Sequence, residues 1–180
     1  MPITSDHIRE TVTEYIDAHP AEKAALSVVL ERLDQGDDLT SRKTSPLHVT
    51  AGAVLVDERG DVLFVRHNAL GRYLTPGGHL EAEDVNLMGA ALRELTEETG
   101  VRASIAPLLP VPVHIDVHDI PANAAKGEPA HQHADVRYLF GTTGPVEVTL
   151  QAEEVSAVEW RSPDALADGT LRNRVLAAIR

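Results

Sequence analysis

Residues 77–101, GGHLEAEDVNLMGAALRELTEETGV, join a glycine pair to one helical pattern that stops at Gly100. At about 100° per residue, Glu94, Glu97 and Glu98 fall into one arc, while Val85, Met88, Leu92 and Leu95 lie on the opposing side and can pack. Three carboxylates therefore share one small patch. Like charges at i and i+4 cost an isolated helix about 0.2–0.5 kcal/mol per pair, and acid near a helix C-terminus opposes the macrodipole by roughly 0.3–1 kcal/mol. Between Asp84 and Val101 the only cation is Arg93, one turn before Glu97. Oxygen donors clustered without lysine suit a hard divalent ion, Mg²⁺ or Mn²⁺, which keeps some waters and completes its shell with substrate phosphates. An acidic face turned to water is the plainer reading of three glutamates, and the glycine pair ahead of them argues against it.

These residues resemble the Nudix hydrolases, whose box reads Gly, five residues, Glu, seven residues, then Arg-Glu-apolar-x-Glu-Glu-x-Gly-apolar. Arg93-Glu94-Leu95-Thr96-Glu97-Glu98-Thr99-Gly100-Val101 matches the second half in full. The first half departs from it. Skipping five residues after Gly78 gives Asp84 where the family has Glu, and eight residues rather than seven separate it from Arg93. The helical spacing of the apolar residues assigns the extra residue to the loop, where Glu81, Glu83 and Asp84 are all candidates for the loop acid. Leu74-Thr75-Pro76 fits as well, and the resemblance spans residues 48–165.

The resemblance implies an α/β/α sandwich, a mixed sheet with the box helix on one face and the C-terminal helix on the other. Residues 1–43 would form a helical extension and linker ahead of a Nudix domain at 44–180. It also implies hydrolysis of a nucleoside diphosphate linked to another group, ADP-ribose-like, or of a nucleoside triphosphate, oxidised forms included. Glu94, Glu97 and Glu98 would hold Mg²⁺ or Mn²⁺ together with the carbonyl of Gly78, and Arg93 would orient a carboxylate. Glu153 or Glu154, in a late loop, could act as the base. Isopentenyl diphosphate isomerase shares this fold, but its family uses a catalytic cysteine. A silent nucleotide sensor would normally lack a box glutamate.

A chain of 180 residues is one domain on size, with length enough for a sizeable core. It holds no cysteine, which excludes disulfides, thiolate metal sites and a cysteine nucleophile. No apolar run approaches the ~20 residues of a membrane span, and Asp6, Arg9 and Glu10 interrupt the start of the chain where a signal peptide would be apolar. A cytoplasmic protein is expected, with no membrane partner. The net charge of −12 repels polyanions, so extended nucleic acid is excluded, whereas a metal-bound small phosphorylated nucleotide is not.

In chain order, residues 3–35 carry two helical stripes, Ile8, Val12, Tyr15 and Ile16, then Ala24, Leu26, Val29, Leu30 and Leu33, with Ser5 as first cap and His19-Pro20 as the break. They pack on the catalytic domain or on a second subunit as a homodimer. Residues 51–56 and 62–65 read as a hairpin around Gly60. Arg66 and Arg72 could grip phosphate. Strands are expected at 104–109 and 111–117, where His114, Asp116 and His118 alternate, then a loop at 120–129 and a strand at 136–140. Residues 141–145 read as a turn and 146–150 as a strand. His131 and His133 are candidates for substrate contact or, as alternate residues of one strand, for metal ligation. Trp160 reads as core, Tyr73 and Tyr138 as core or base-stacking groups, and Ser162-Pro163 as the start of the closing helical segments.

Overall fold

The computed structural model describes residues 2–68, 70–124, 127–149 and 155–180. Its helices are α1 (Ser5–Ala18), α2 (Lys23–Asp34), α3 (Leu87–Thr99) and α4 (Gly169–Ala178), and they flank one mixed sheet, as an α/β/α sandwich requires. The strands are β1 (Leu47–Val56), β2 (Val62–His67), β3 (Arg72–Leu74), β4 (Gly77–His79), β5 (Arg102–Pro107), β6 (His114–Ile120), β7 (His131–Glu147) and β8 (Val155–Arg161). Their order is β3-β2-β1-β7-β5, with β4 on β1, β6 on β7 and β8 on β2. Among the described residues no helix is long and apolar enough to cross a membrane. The chain divides into two compact units, residues 1–51, 79–90 and 115–136, and residues 52–78, 91–114 and 137–180.

In the first unit α1 begins one residue earlier than its sequence suggests. Thr4, not Ser5, is the cap, its hydroxyl accepting the amide of His7 at 3.2 Å. Pro20 ends α1 and opens a short 3-10 turn, Pro20–Glu22, and the Tyr15 hydroxyl donates to Glu22 across that corner at 2.7 Å. Ile8, Val12, Tyr15 and Ile16 of α1 and Leu26, Val29 and Leu33 of α2 are buried. The Ile3 amide donates to the Asp84 carbonyl, 3.0 Å, and His7 Nε2 accepts the amide of Leu87, 3.3 Å. The N-terminal hairpin is thus fastened to residues 84–87 of its own chain.

In the second unit the hairpin between β1 and β2 turns as its sequence dictates. Asp57 Oδ1 accepts the amides of Arg59 and Asp61, and Gly60 takes φ +84°. Alternate residues Val54, Val56, Val62 and Phe64 face Val113, Leu139, Leu166, Leu171 and Val175 in one apolar cluster. Each such side chain contributes about 1.5–3 kcal/mol by leaving water. Asp168 caps α4, accepting the Leu171 amide at 2.7 Å, and Ser162 caps the 3-10 turn Pro163–Ala165.

Two further expectations need correction. β7 continues through residues 141–145, which carry turn-forming glycines and a proline, because β5 pairs with them: Ala106 lies opposite Gly141, Ile105 opposite Thr142 and Ser104 opposite Thr143. Gly141 is glycine for room, since a Cβ there would sit 2.8 Å from Leu108 Cδ2. Gly144, at φ +78°, adjoins the register shift between Arg102 and Ser104, as a bulge does. Trp160 is half-buried rather than core. It lines a shallow hollow of about 240 Å³ with Asp57, Glu58, Arg59, Gly144 and Val146.

Candidate functional site

The acidic patch is built by α3. Asn86 caps the helix by accepting the Gly89 amide at 2.7 Å, so Val85 precedes the helix and stays 62% exposed instead of packing. The buried stripe consists of Leu87, Ala90, Ala91, Leu95 and then Glu98 and Thr99. Glu98 is therefore carried into the interior by the register that buries Leu95 and Ala91, and is only 6% exposed. Glu94 is nearly as enclosed, with its side chain 12% accessible, while Glu97 is 45% accessible. One nitrogen of Arg93, Nη1, donates to both Glu94 Oε1, 3.0 Å, and Glu97 Oε2, 2.7 Å. A single guanidinium thus holds two of the three carboxylates.

The backbone at Gly78 approaches the same carboxylate group. A Cβ on Gly78 would lie 2.7 Å from Cδ and Oε1 of Glu94 and 2.8 Å from Oε2. The glycine is needed because the Glu94 side chain occupies the space a side chain would fill. Three carboxylates and one guanidinium leave two formal negative charges in this patch, and the donors are all oxygen. That donor set fits a hard divalent cation.

The loop acids separate by environment. Glu81 and Glu83 are exposed, whereas Asp84 is buried, and its Oδ2 accepts the amide of Glu81 at 2.8 Å. Asp84 closes its own turn. Glu153 and Glu154 lie outside the described residues.

Arg66 and Arg72 are both exposed. In the register of β2 and β3, Arg66 stands opposite Tyr73 and His67 opposite Arg72, so the two arginines leave opposite faces of the strand pair. Tyr73 donates its hydroxyl to Glu159, and Arg161, bound to the other oxygen of Glu159 at 2.7 and 2.9 Å, lies 3.8 Å from the Tyr73 ring centroid. One face of that ring is already covered by a cation, and Tyr138 is buried in the core.

In the first unit, His131 and His133 meet two histidines that the sequence pattern did not connect to them. His48, on β1, lies with its ring centroid 5.0 Å from that of His131 and 4.7 Å from that of His133, and His79, on β4, is 5.1 Å from His48 and 5.2 Å from His133. His131 Nε2 and His133 Nε2 are 3.1 Å apart. Burial, followed by the positive charges the neighbours would carry, pushes His79 down to about 4 and His133 down to about 3, and burial lowers His48 as well.

This cluster sets an acid limit on stability. Below the unfolded value of 6.5 the unfolded chain takes up protons that the folded one refuses, so stability present above that pH is lost as pH falls toward the folded values of about 4 and 3. In chelator-containing buffer the urea midpoint should be lower at pH 5 than at pH 7, and His133→Asn should shrink the difference. An equal midpoint at both values would contradict the burial of these rings.

Sheet, flanking helices and a carboxylate patch on α3 together define an α/β/α sandwich that carries an all-oxygen donor site. A family model for the NUDIX domain matches residues 46–178. The Probable DHNTP pyrophosphohydrolase of Lactococcus lactis subsp. cremoris is 32% identical over 129 residues, 72% of this chain and 74% of that protein. The m7GpppN-mRNA hydrolase NUDT17 of Homo sapiens is 33% identical over 120 residues, 63% of this chain but only 35% of that protein. A C. elegans Ap4A hydrolase has a similar fold, with a TM-score of 0.55 at 17% identity over 72% of this chain and 95% of that one. The chain belongs to the Nudix family and is an enzyme of its pyrophosphohydrolase class.

Proposed function

We propose that the protein hydrolyses the pyrophosphate linkage of a small triphosphate, a nucleoside or pterin triphosphate, releasing pyrophosphate. The observation that carries this is the double grip of Arg93 on Glu94 and Glu97 against the bare backbone of Gly78. A triphosphate is favoured over an ADP-ribose-like diphosphate by the relative that aligns over 74% of its own length, which is named for DHNTP. Glu94, Glu97, Glu98 and the Gly78 carbonyl would hold Mg²⁺ or Mn²⁺. When bound, such an ion neutralises phosphate charge and lowers the pKa of a water for attack on phosphorus.

The chain's own residues do the rest. Arg93 fixes two carboxylates in one geometry. The enclosure of Glu94 and Glu98 keeps bulk water from competing for them. Glu153 and Glu154 are the proposed sources of the base. Exposed Arg66 and Arg72 leave opposite faces, so at most one of them serves a given phosphate from its own side.

The test is Mg²⁺-dependent hydrolysis, run in parallel, of dihydroneopterin triphosphate and the common nucleoside triphosphates, read as pyrophosphate released, and of ADP-ribose, read as the two phosphomonoesters AMP and ribose phosphate. Turnover of a triphosphate supports the reading, and turnover of ADP-ribose alone reassigns the substrate class. Tight nucleotide binding with no turnover of any compound would make the protein a sensor instead. A finer check is Gly78→Ala. The added methyl meets the movable end of Glu94, so the melting temperature should hardly change while activity falls about 10–100-fold as that carboxylate is pushed aside. Full activity in this variant would remove Glu94 and Gly78 from the site.

A further inference from the structure

The histidine cluster uses none of the residues of the carboxylate patch, and its hydrogen bonds have a direction. His48 is 2% exposed, and its Nδ1 lies 3.0 Å from the Thr44 carbonyl. A carbonyl only accepts, so Nδ1 carries the hydrogen and Nε2 presents a lone pair. That Nε2 is buried and has no hydrogen-bond partner. Leaving a buried acceptor this way is destabilising unless something binds it. His131 repeats the arrangement, its Nδ1 donating to the Pro129 carbonyl at 2.9 Å, so its Nε2 also presents a lone pair, 3.1 Å from Nε2 of His133. An imidazole whose other nitrogen donates to a backbone carbonyl is the form in which histidine binds metal ions.

One nitrogen each from His48, His79 and His133 already lies within 4.8 Å of the other two. Around a tetrahedral ion with metal–nitrogen bonds of about 2.0–2.1 Å, ligand nitrogens stand about 3.3 Å apart. Side-chain shifts of at most about 1.5 Å close the remaining gap. The three ligands, all in the first unit, come from β1, β4 and β7, so one ion would tie together three segments distant in sequence. No carboxylate belongs to the triad, and nitrogen donors favour a borderline ion such as Zn²⁺ or Co²⁺ over Mg²⁺.

We infer that His48, His79 and His133, with His131 beside them, form a transition-metal site of the Zn²⁺ class distinct in its ligands from the box carboxylates. The site does not depend on the proposed reaction. Asp116, His118 and Asp135 form a neighbouring group, with the ring of His118 5.9 Å from that of His133; His118 and Asp116 are bonded to each other at 2.8 Å, and Asp135 accepts from Thr50 at 3.1 Å.

The experiment titrates Co²⁺ alone, then Zn²⁺ as competitor, into the full chain without any affinity tag, stripped by chelator and held in excess Mg²⁺. The expected result is one equivalent of Co²⁺ giving the visible absorption of a tetrahedral nitrogen site, displaced by Zn²⁺. His133→Gln should weaken it by roughly tenfold or more, and Glu98→Gln should leave it unchanged. His79→Gln serves in the same role should His133→Gln fail to fold. Absence of the band in the parent chain, an unchanged affinity in the histidine variant, or loss of binding in Glu98→Gln alone would overturn the assignment. Because Mg²⁺-dependent turnover is read separately, a failure here leaves the carboxylate reading standing, and a failure there leaves this one.

Discussion

Glu98→Gln should lower kcat on the order of 10²–10³-fold, the rate equivalent of about 3–4 kcal/mol of lost charge stabilisation. Glu98 is the most enclosed carboxylate of the patch, so nothing in solvent can replace its oxygens. The amide is nearly isosteric and removes one negative charge a single helical turn from Glu94, so the i, i+4 repulsion that opposes the helix is relieved. Urea denaturation should accordingly show a stability change of less than about 1 kcal/mol. Glu97→Gln should lose most of its turnover too, with the difference that Arg93 keeps Glu94 as a partner. Substantial activity in both variants would remove the metal site from α3. Lost activity together with a collapsed melting temperature would show that Glu98 serves the fold instead.

Gly100→Ala should destabilise the protein by at least about 3 kcal/mol, lowering the melting temperature by roughly 6–12 °C. Two causes add at this residue. Its φ of +56° is the left-handed conformation that ends α3, which costs a residue with a Cβ about 1–2 kcal/mol. The Cβ would also collide with the carbonyl oxygen of Thr149, a backbone atom that cannot swing aside, because the Thr149 amide is itself held by the Thr99 carbonyl at 2.9 Å. Asparagine tolerates the left-handed region, so Gly100→Asn separates the two causes. If the close approach dominates, asparagine fails to restore stability; if it does restore it, the contact with Thr149 is wrong.

What could be read from the sequence was whatever is decided locally. The carboxylate patch follows from helical periodicity within residues 94–98, and the turn at residues 57–61 from an aspartate that accepts two amides and a glycine at positive φ. The helix start at Asn86 was missed because Val85 keeps the apolar rhythm by coincidence. Long-range pairing decided the rest. Gly141 and Pro145 resemble turn residues until β5 is laid beside them, and then Gly141 proves to be a gap kept for Leu108. His131 and His133 could be seen to share a strand face, but His48 and His79 come from distant segments, and nothing in their own neighbourhoods announces the meeting. The one local hint is the carbonyl of Thr44, four residues before His48, which orients its ring.

Trp160 is the chain's only tryptophan, and it stands opposite Leu63 where β8 joins β2. Its emission is thus a built-in optical gauge of that one ladder, red-shifting when β8 peels away even if the helices persist. Compared with circular dichroism during unfolding, it would reveal whether this edge of the sheet melts with the remainder or ahead of it.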